Sequence, residues 1–131
     1  MIKTLLFVFA IFLVTLLYAS NAKANINVAL KNLCSLVASD DTSTLQQKIT
    51  EMRTHYRLKL QHYYDGISCD GQSLIRTALL NKANHTAELL IEHLPKRKLR
   101  MPEHDGKTLL QWINETELAG SPIANTLGDK I

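Results

Sequence analysis

The sequence lacks the short motifs that usually identify an enzyme. It contains no His-Glu-x-x-His zinc motif, no Gly-x-Ser-x-Gly nucleophile elbow, no phosphate-binding loop and no glycine-rich dinucleotide fingerprint. The histidines do not suggest a metal site either, because His55 and His62 are seven residues apart, about 10.5 Å along a helix, and His85 and His93 are no closer. We therefore predict a protein that is not an enzyme and that carries no metal or other cofactor.

The sequence also lacks a strong excess of either charge. It has 15 basic and 12 acidic residues, and two of the basic residues, Lys3 and Lys23, lie among the first 24 positions. The rest of the chain is therefore close to neutral. Proteins that bind nucleic acids usually carry a strongly basic face, so we expect no nucleic-acid partner.

Strand patterns are nearly absent after the N-terminal segment, because the rest of the chain contains no run of alternating β-branched residues. Apolar residues recur instead at helical spacing, which predicts an all-α bundle of antiparallel helical hairpins. The first helix is predicted at residues 26–37. Ser43 and Gln46 form a possible capping box for a second helix that runs on to Asp65-Gly66. Further helices are predicted at residues 74–79, at 86–94 with Asn84 as cap, at 109–113 and at 122–127, with a basic link at residues 96–100.

The first 24 residues have the order of a cleavable signal peptide. Lys3 precedes an apolar run at residues 5–18, and Ala22 and Ala24 occupy the two positions that a signal peptidase recognises. We predict cleavage between Ala24 and Asn25, which leaves a single domain at residues 25–131 in the periplasm or outside the cell. A retained anchor helix is the alternative, although the apolar run of 14 residues is shorter than the roughly 20 that span a bilayer.

The sequence has only two cysteines, Cys34 and Cys69. Their separation excludes a Cys-x-x-Cys redox or zinc motif, and an exported protein is exposed to an oxidising environment. We therefore predict one disulfide, which closes a hairpin at residues 25–69 and stabilises the fold by roughly 3–4 kcal/mol in the chain-entropy model. The alternative is a pair of free thiols, but no activating group is encoded beside either residue.

An internal repeat occurs in the second half of the chain. Asp70-Gly71-Gln72-Ser73-Leu74 returns 35 positions later as Asp105-Gly106-Lys107-Thr108-Leu109. Residues 71–94 resemble an ankyrin repeat, with a Gly-x-Ser opening, Ala78-Leu79 in the first helix and Ala87 in the second. The second unit matches only at its opening, since Ile113 replaces the alanine and Pro122 falls at a helix position. The resemblance implies ankyrin-like helix pairs over residues 70–131.

A second resemblance covers more of the chain. Five features carry it: an N-terminal leader, Leu33-Cys34, an Arg- and Tyr-rich segment at residues 53–64, Cys69-Asp70-Gly71 and the helix pair at residues 74–94. Together they are similar to a family of small exported gamma-proteobacterial proteins, catalogued as a domain of unknown function. This resemblance implies a helical fold and export, but no activity.

Two basic segments are candidate binding surfaces. The residues that we predict to contact a partner are Arg57, Lys59, Tyr63, Tyr64, Lys96, Arg97, Lys98 and Arg100. Cations beside aromatic rings can hold an anionic or sugar ligand, and a basic loop can meet phosphates, although both segments are also compatible with solvated surface. We expect a periplasmic protein-interaction module whose partner is an envelope protein. The alternative is a protein that binds anionic lipid or glycan at the envelope surface, and no oligomeric state is predicted.

Overall fold

No β-strand occurs in residues 29–131, the part of the chain that the computed structural model describes. The predicted signal peptide, its cleavage site and the start of the predicted first helix lie outside these residues. The described α-helices are α1 (Leu33–Ala38), α2 (Thr42–His55), α3 (Leu60–Tyr63), α4 (Leu74–Leu80), α5 (Asn84–His93), α6 (Lys96–Arg100), α7 (Leu109–Asn114) and α8 (Pro122–Lys130). A 3-10 turn spans Tyr64–Gly66. The all-α fold class is confirmed.

Helix α2 begins two residues earlier than the predicted capping box implies. The side chain of Asp41 accepts a hydrogen bond from the backbone N–H of Thr44 at 3.1 Å, so Asp41 is the N-cap and Ser43 lies inside the helix. Asp and Ser are both good caps, and the sequence offers them two positions apart. The prediction of Ser43 as the cap was wrong for this reason.

The predicted second helix is interrupted. Helix α2 ends at His55, and Arg57 adopts a left-handed conformation with φ 55° that returns the chain toward α2, where the N–H of Leu58 donates to the carbonyl of Met52 at 3.0 Å. The chain becomes helical again at Leu60. Leu60 is buried, as the helical pattern requires, so apolar spacing alone could not reveal the break.

The N-terminus of α5 is capped from a distant part of the chain. Asp40, in the turn between α1 and α2, accepts a hydrogen bond from the N–H of Thr86 at 2.8 Å, and the hydroxyl of Thr86 donates to the carbonyl of Val37 at 2.8 Å. Asn84 was predicted to cap this helix, but it is the first helical residue and Ala83 occupies the N-cap position. The cap therefore joins α5 to the first hairpin.

Hydroxyl residues begin three of the later helices. Ser73, Thr108 and Ser121 each accept a hydrogen bond from the backbone N–H three residues ahead, at the starts of α4, α7 and α8. Thr108 and Gln111 form a full capping box. The basic segment that was predicted as a link forms the short helix α6 instead.

The core of residues 32–131 is centred on α5, which packs against α1, α2, α3, α4 and α8. Its inward residues Leu90 and Ile91 are almost fully buried. Cys34 in α1 and Cys69, just before α4, form the predicted disulfide, with their Cα atoms 5.6 Å apart. The first hairpin is thus attached to the second half of the fold by a covalent bond and by the Asp40 cap.

Candidate functional site

A buried arginine lies at the centre of the candidate site. Arg76 lies in α4 among mostly apolar neighbours, and its side chain is only 2% exposed. A guanidinium that loses its water needs counter-charges and hydrogen-bond acceptors close by. The turn between α6 and α7 provides them.

Two carboxylates bind the guanidinium from that turn. Asp105 accepts two parallel hydrogen bonds, from Nη1 to Oδ2 at 2.6 Å and from Nη2 to Oδ1 at 2.9 Å. Glu103 places Oε1 2.6 Å from Nε, a close charge contact without a well-aligned hydrogen bond. The carbonyl of Lys107 accepts a further hydrogen bond from Nη2 at 3.3 Å. This bidentate geometry matches the planar guanidinium of Arg76, and the single ammonium group of a lysine could not reproduce it.

The carboxylate of Glu103 also joins two other elements. Its side chain is 8% exposed, Oε2 accepts a hydrogen bond from the Tyr64 hydroxyl at 3.0 Å, and Oε1 accepts one from the Ser73 hydroxyl at 2.9 Å. Ser73 at the same time caps α4, because its oxygen accepts the N–H of Arg76 at 3.3 Å. Tyr64, Ser73, Arg76, Glu103 and Asp105 therefore form one network, which we call the arginine network.

The turn that carries the carboxylates is closed by its own backbone. The N–H of Glu103 donates to the carbonyl of Lys107 at 2.9 Å, and the N–H of Gly106 donates to the carbonyl of Glu103 at 2.9 Å. Gly106 has φ 81°, a left-handed conformation in which glycine carries no steric penalty. The centroid of the Trp112 ring lies 5.1 Å from the guanidinium carbon of Arg76, within range of a cation–π interaction.

The pKa values in the network agree with this pairing. Burial alone would lower the pKa of Arg76, but the hydrogen bonds to Asp105 and the negative charges of Glu103 and Asp105 raise it. The hydrogen bonds from Arg76 and from the N–H of Lys107 hold the pKa of Asp105 well below its usual value. Burial, and then the charge of Glu103, raise the pKa of Tyr64 far above its usual value. Arg76 and Asp105 stay charged, and Tyr64 stays a hydrogen-bond donor, over the physiological pH range.

An open groove of about 500 Å³ borders the arginine network. Tyr64, Ser73 and Glu103 line it from the network, and Met101, an apolar side chain that is 46% exposed, lines it from the chain after α6. Ile67, Ser68, Gln72, Lys98, Pro102 and His104 are among the other lining residues. We call this the Met101 groove.

A second groove, of about 510 Å³, lies beside the disulfide. It is lined by Cys34 and Cys69 and by Leu80, an apolar side chain that is 55% exposed. We call it the disulfide groove. Ser68 and Gln72 line both grooves, so the turn at residues 68–72 stands between them. In this turn, the N–H groups of Cys69 and Gln72 each donate to the other residue's carbonyl, at 2.8 and 3.0 Å.

The predicted contact residues fall into three groups in the structure. Tyr63 and Tyr64 are buried, although an edge of Tyr64 lines the Met101 groove. Burial raises the pKa of Tyr63 to about 12. Lys98 is paired with Asp65 and lies 6.0 Å from the Tyr64 ring centroid, and Arg100 donates to the main-chain oxygen of Ile131. The remaining four side chains are exposed, namely those of Arg57, Lys59, Lys96 and Arg97.

Sequence reasoning missed the arginine network. A signal for Arg76 was present, because an arginine inside the run Leu74-Ile75-Arg76-Thr77-Ala78-Leu79 must either reach solvent or find buried counter-charges. The sequence singles out its partner Asp105 only as part of the repeated Asp-Gly turn. The pairing joins residues 29 positions apart, and no local pattern specifies such a contact.

None of the helices in residues 29–131 is at once long and apolar enough to cross a membrane. Within the same range, no three His, Cys, Asp or Glu side chains lie close enough together to hold a metal ion.

Comparison with known families gives one match. Residues 33–101 match the family described as "protein of unknown function (DUF3718)", which is more than half of the chain. The chain belongs to the DUF3718 family. The matched region begins with α1 and ends just after α6, so it contains both cysteines and Arg76, whereas the carboxylates of Glu103 and Asp105 follow it. No curated protein and no solved structure matches the chain.

Proposed function

We propose that this DUF3718 protein is a non-enzymatic protein-interaction module of the periplasm, and that its partner is an envelope protein that binds in the Met101 groove. The observation that carries the proposal is an exposed methionine in an open groove that is also lined by Tyr64, Ser73 and Glu103 of the arginine network. Methionine is flexible and polarizable, and it is common at protein-binding surfaces. The hydrogen bonds of the arginine network hold Tyr64, Ser73 and Glu103 in one arrangement, which reduces the conformational entropy lost when a partner binds.

A single side-chain atom adds support for a partner. Oε1 of Gln72, a residue that lines the groove, is buried and has no hydrogen-bond partner among the described residues. A buried acceptor without a donor costs about 1–3 kcal/mol. A donor from a bound chain would remove this cost after a small rotation of the Gln72 side chain.

The placement of the turns supports an ankyrin-like interaction module. Asp70-Gly71 and Asp105-Gly106 each form a turn with left-handed glycine, and each is followed by a hydroxyl-capped helix. Arg76 of the first unit binds Asp105 in the turn of the second. Helical repeats bind partners on such turns and on the groove beside them.

The periplasmic location is supported by the disulfide and by the sequence of the first 24 residues. A disulfide between Cys34 and Cys69 persists in an oxidising compartment and is rare in the cytoplasm of most organisms. Both features are consistent with export through a cleaved leader.

Site-specific photocrosslinking in producing cells tests the proposal. A photoreactive benzophenone amino acid at position 101 should yield a discrete adduct with one envelope protein. The same amino acid at Glu117, an exposed position that does not line the groove, is the matched control and should yield no such adduct.

A second variant separates specific binding from chance proximity. Met101→Asp should abolish co-purification of the crosslinked protein while leaving the thermal unfolding of the domain within a few degrees of the parent, because position 101 is half exposed. If both crosslinking positions give the same adducts, or if Met101→Asp retains the partner fully, the groove is not the binding site.

A further inference from the structure

Two stretches of the chain contain cations and no acidic residue. Residues 52–64 hold Arg53, Arg57 and Lys59 between Glu51 and Asp65, and residues 93–102 hold Lys96 and Arg97 between Glu92 and Glu103. In a nearly neutral protein, such stretches concentrate positive charge if the fold places them side by side.

The fold does place them side by side. Helix α5 packs against α2 and α3, and His93 at its end lies 3.2 Å from Oε1 of Gln46 in α2. The positive charge of Arg53 acts on His93 and helps to lower its pKa, after the larger effect of burial. Helix α6 follows α5 directly, and its Lys98 packs on Tyr64 and pairs with Asp65. The end of α2, the segment that leads into α3 and the start of α6 therefore share one side of the domain.

Some cations of this side are already used inside the protein. Lys98 is paired with Asp65, Arg100 binds the main-chain oxygen of Ile131, and Lys130 donates to the carbonyl oxygens of Ile91 and Leu94. On this side of the domain, five exposed cations have no ion-pair partner among the described residues. They are Arg53, Arg57, Lys59, Lys96 and Arg97, and we call them the basic face.

We propose that the basic face binds the phosphate groups of an anionic lipid surface. The five cations lie on a loop and on helix surfaces and line neither the Met101 groove nor the disulfide groove, so they suit an extended array of phosphates better than one enclosed anion. The surface is separate from the Met101 groove, so the two proposals can fail independently.

The test is binding of the full-length chain to lipid vesicles. Phosphatidylcholine vesicles are compared with vesicles that contain about one-third phosphatidylglycerol, at about 0.05 M and about 0.5 M salt. The N-terminal segment is the same in every variant, so the excess of binding to anionic over neutral vesicles isolates the effect of charge. We expect a clear excess at low salt that disappears at high salt.

Two double variants of equal net charge locate the binding surface. The double variant K96Q/R97Q should lower the excess by about 25-fold, since each cation near an anionic surface contributes about fivefold. The control K82Q/K107Q removes two exposed cations from other turns and should change it less than twofold. No excess for the wild type, or equal losses in both double variants, would overturn the proposal. So would tight binding to polyaspartate without vesicle binding, which would assign the face to an acidic protein.

Discussion

Replacing Arg76 by methionine should lower the free energy of unfolding by about 3–5 kcal/mol, because it removes one side of a buried ion pair and leaves the other side unpaired. The remaining carboxylate of Glu103 is 8% exposed and would keep only the hydroxyls of Tyr64 and Ser73 as donors. The cation–π contact with Trp112 would also be lost, at about 0.5–2 kcal/mol within that total. Because small domains are stable by about 5–15 kcal/mol, the variant should be close to unfolding.

Urea denaturation followed by fluorescence measures this effect, since Trp112 is the single tryptophan and contacts the network. The exposed Lys82→Met is the matched control and should change stability by less than about 0.5 kcal/mol. The decisive comparison is the double variant R76M/E103Q, in which a neutral amide replaces the buried charge. It should be more stable than Arg76→Met alone, by about 2 kcal/mol.

Either of two results would show that Arg76 and Glu103 are not a buried ion pair of this strength. A loss below about 1 kcal/mol for Arg76→Met would mean that Glu103 reaches water easily, so that the network is not a buried charge system. A double variant that is less stable than Arg76→Met would mean that the Glu103 carboxylate is not the group left unpaired. If Arg76→Met does not fold at all, recovery of folding in R76M/E103Q would still show that Glu103 is the group left unpaired.

The disulfide, the Asp105 carboxylate and the predicted leader each give one further prediction. Cys34→Ser should lower the free energy of unfolding by about 3–4 kcal/mol in urea titrations, and full labelling of the native protein by a thiol reagent would contradict the bond. The folded-state pKa of Asp105 lies below its unfolded value, so its stabilising effect is complete above about pH 4 and is lost as the pH falls further. Asp105→Asn should therefore be less stable than the wild type at pH 7, and acid-unfolding curves should show the two stabilities converging at low pH. Sequencing of the exported protein should begin at Asn25, and an intact N-terminus in the membrane fraction would instead show a retained anchor.

Much of the fold could be predicted because its signals are local. The apolar patterns that predict helices at residues 74–79 and 109–113 begin where α4 and α7 begin, and the disulfide follows from a count of two cysteines. The failures have a different cause. Arg57 breaks a helix whose apolar period continues unchanged, and Asp40 caps α5 from 46 residues away, so neither could be derived from neighbouring residues.

The candidate site was less predictable than the fold because its residues meet only after folding. Exposed cations such as Lys96 and Arg97 were found, since charge in a polar segment predicts exposure. Tyr64 was expected on the surface but is buried, because its hydroxyl has a partner in Glu103 and its ring can then leave water at no polar cost. The sequence alone does not show which polar groups will find hydrogen-bond partners in the protein interior.

The turn at residues 68–72 is held from both of its ends, and this links the stability of the domain to its proposed function. Before the turn's Asp-Gly step, Cys69 is bonded to α1, and directly after the turn, Ser73 is bound to Glu103 of the arginine network. Each restraint removes freedom from the wall that the two grooves share. A buried ion network is a costly way to stabilise so small a domain, since apolar residues often do as well. Its cost is understandable if the benefit lies in holding a binding surface in one conformation before the partner arrives.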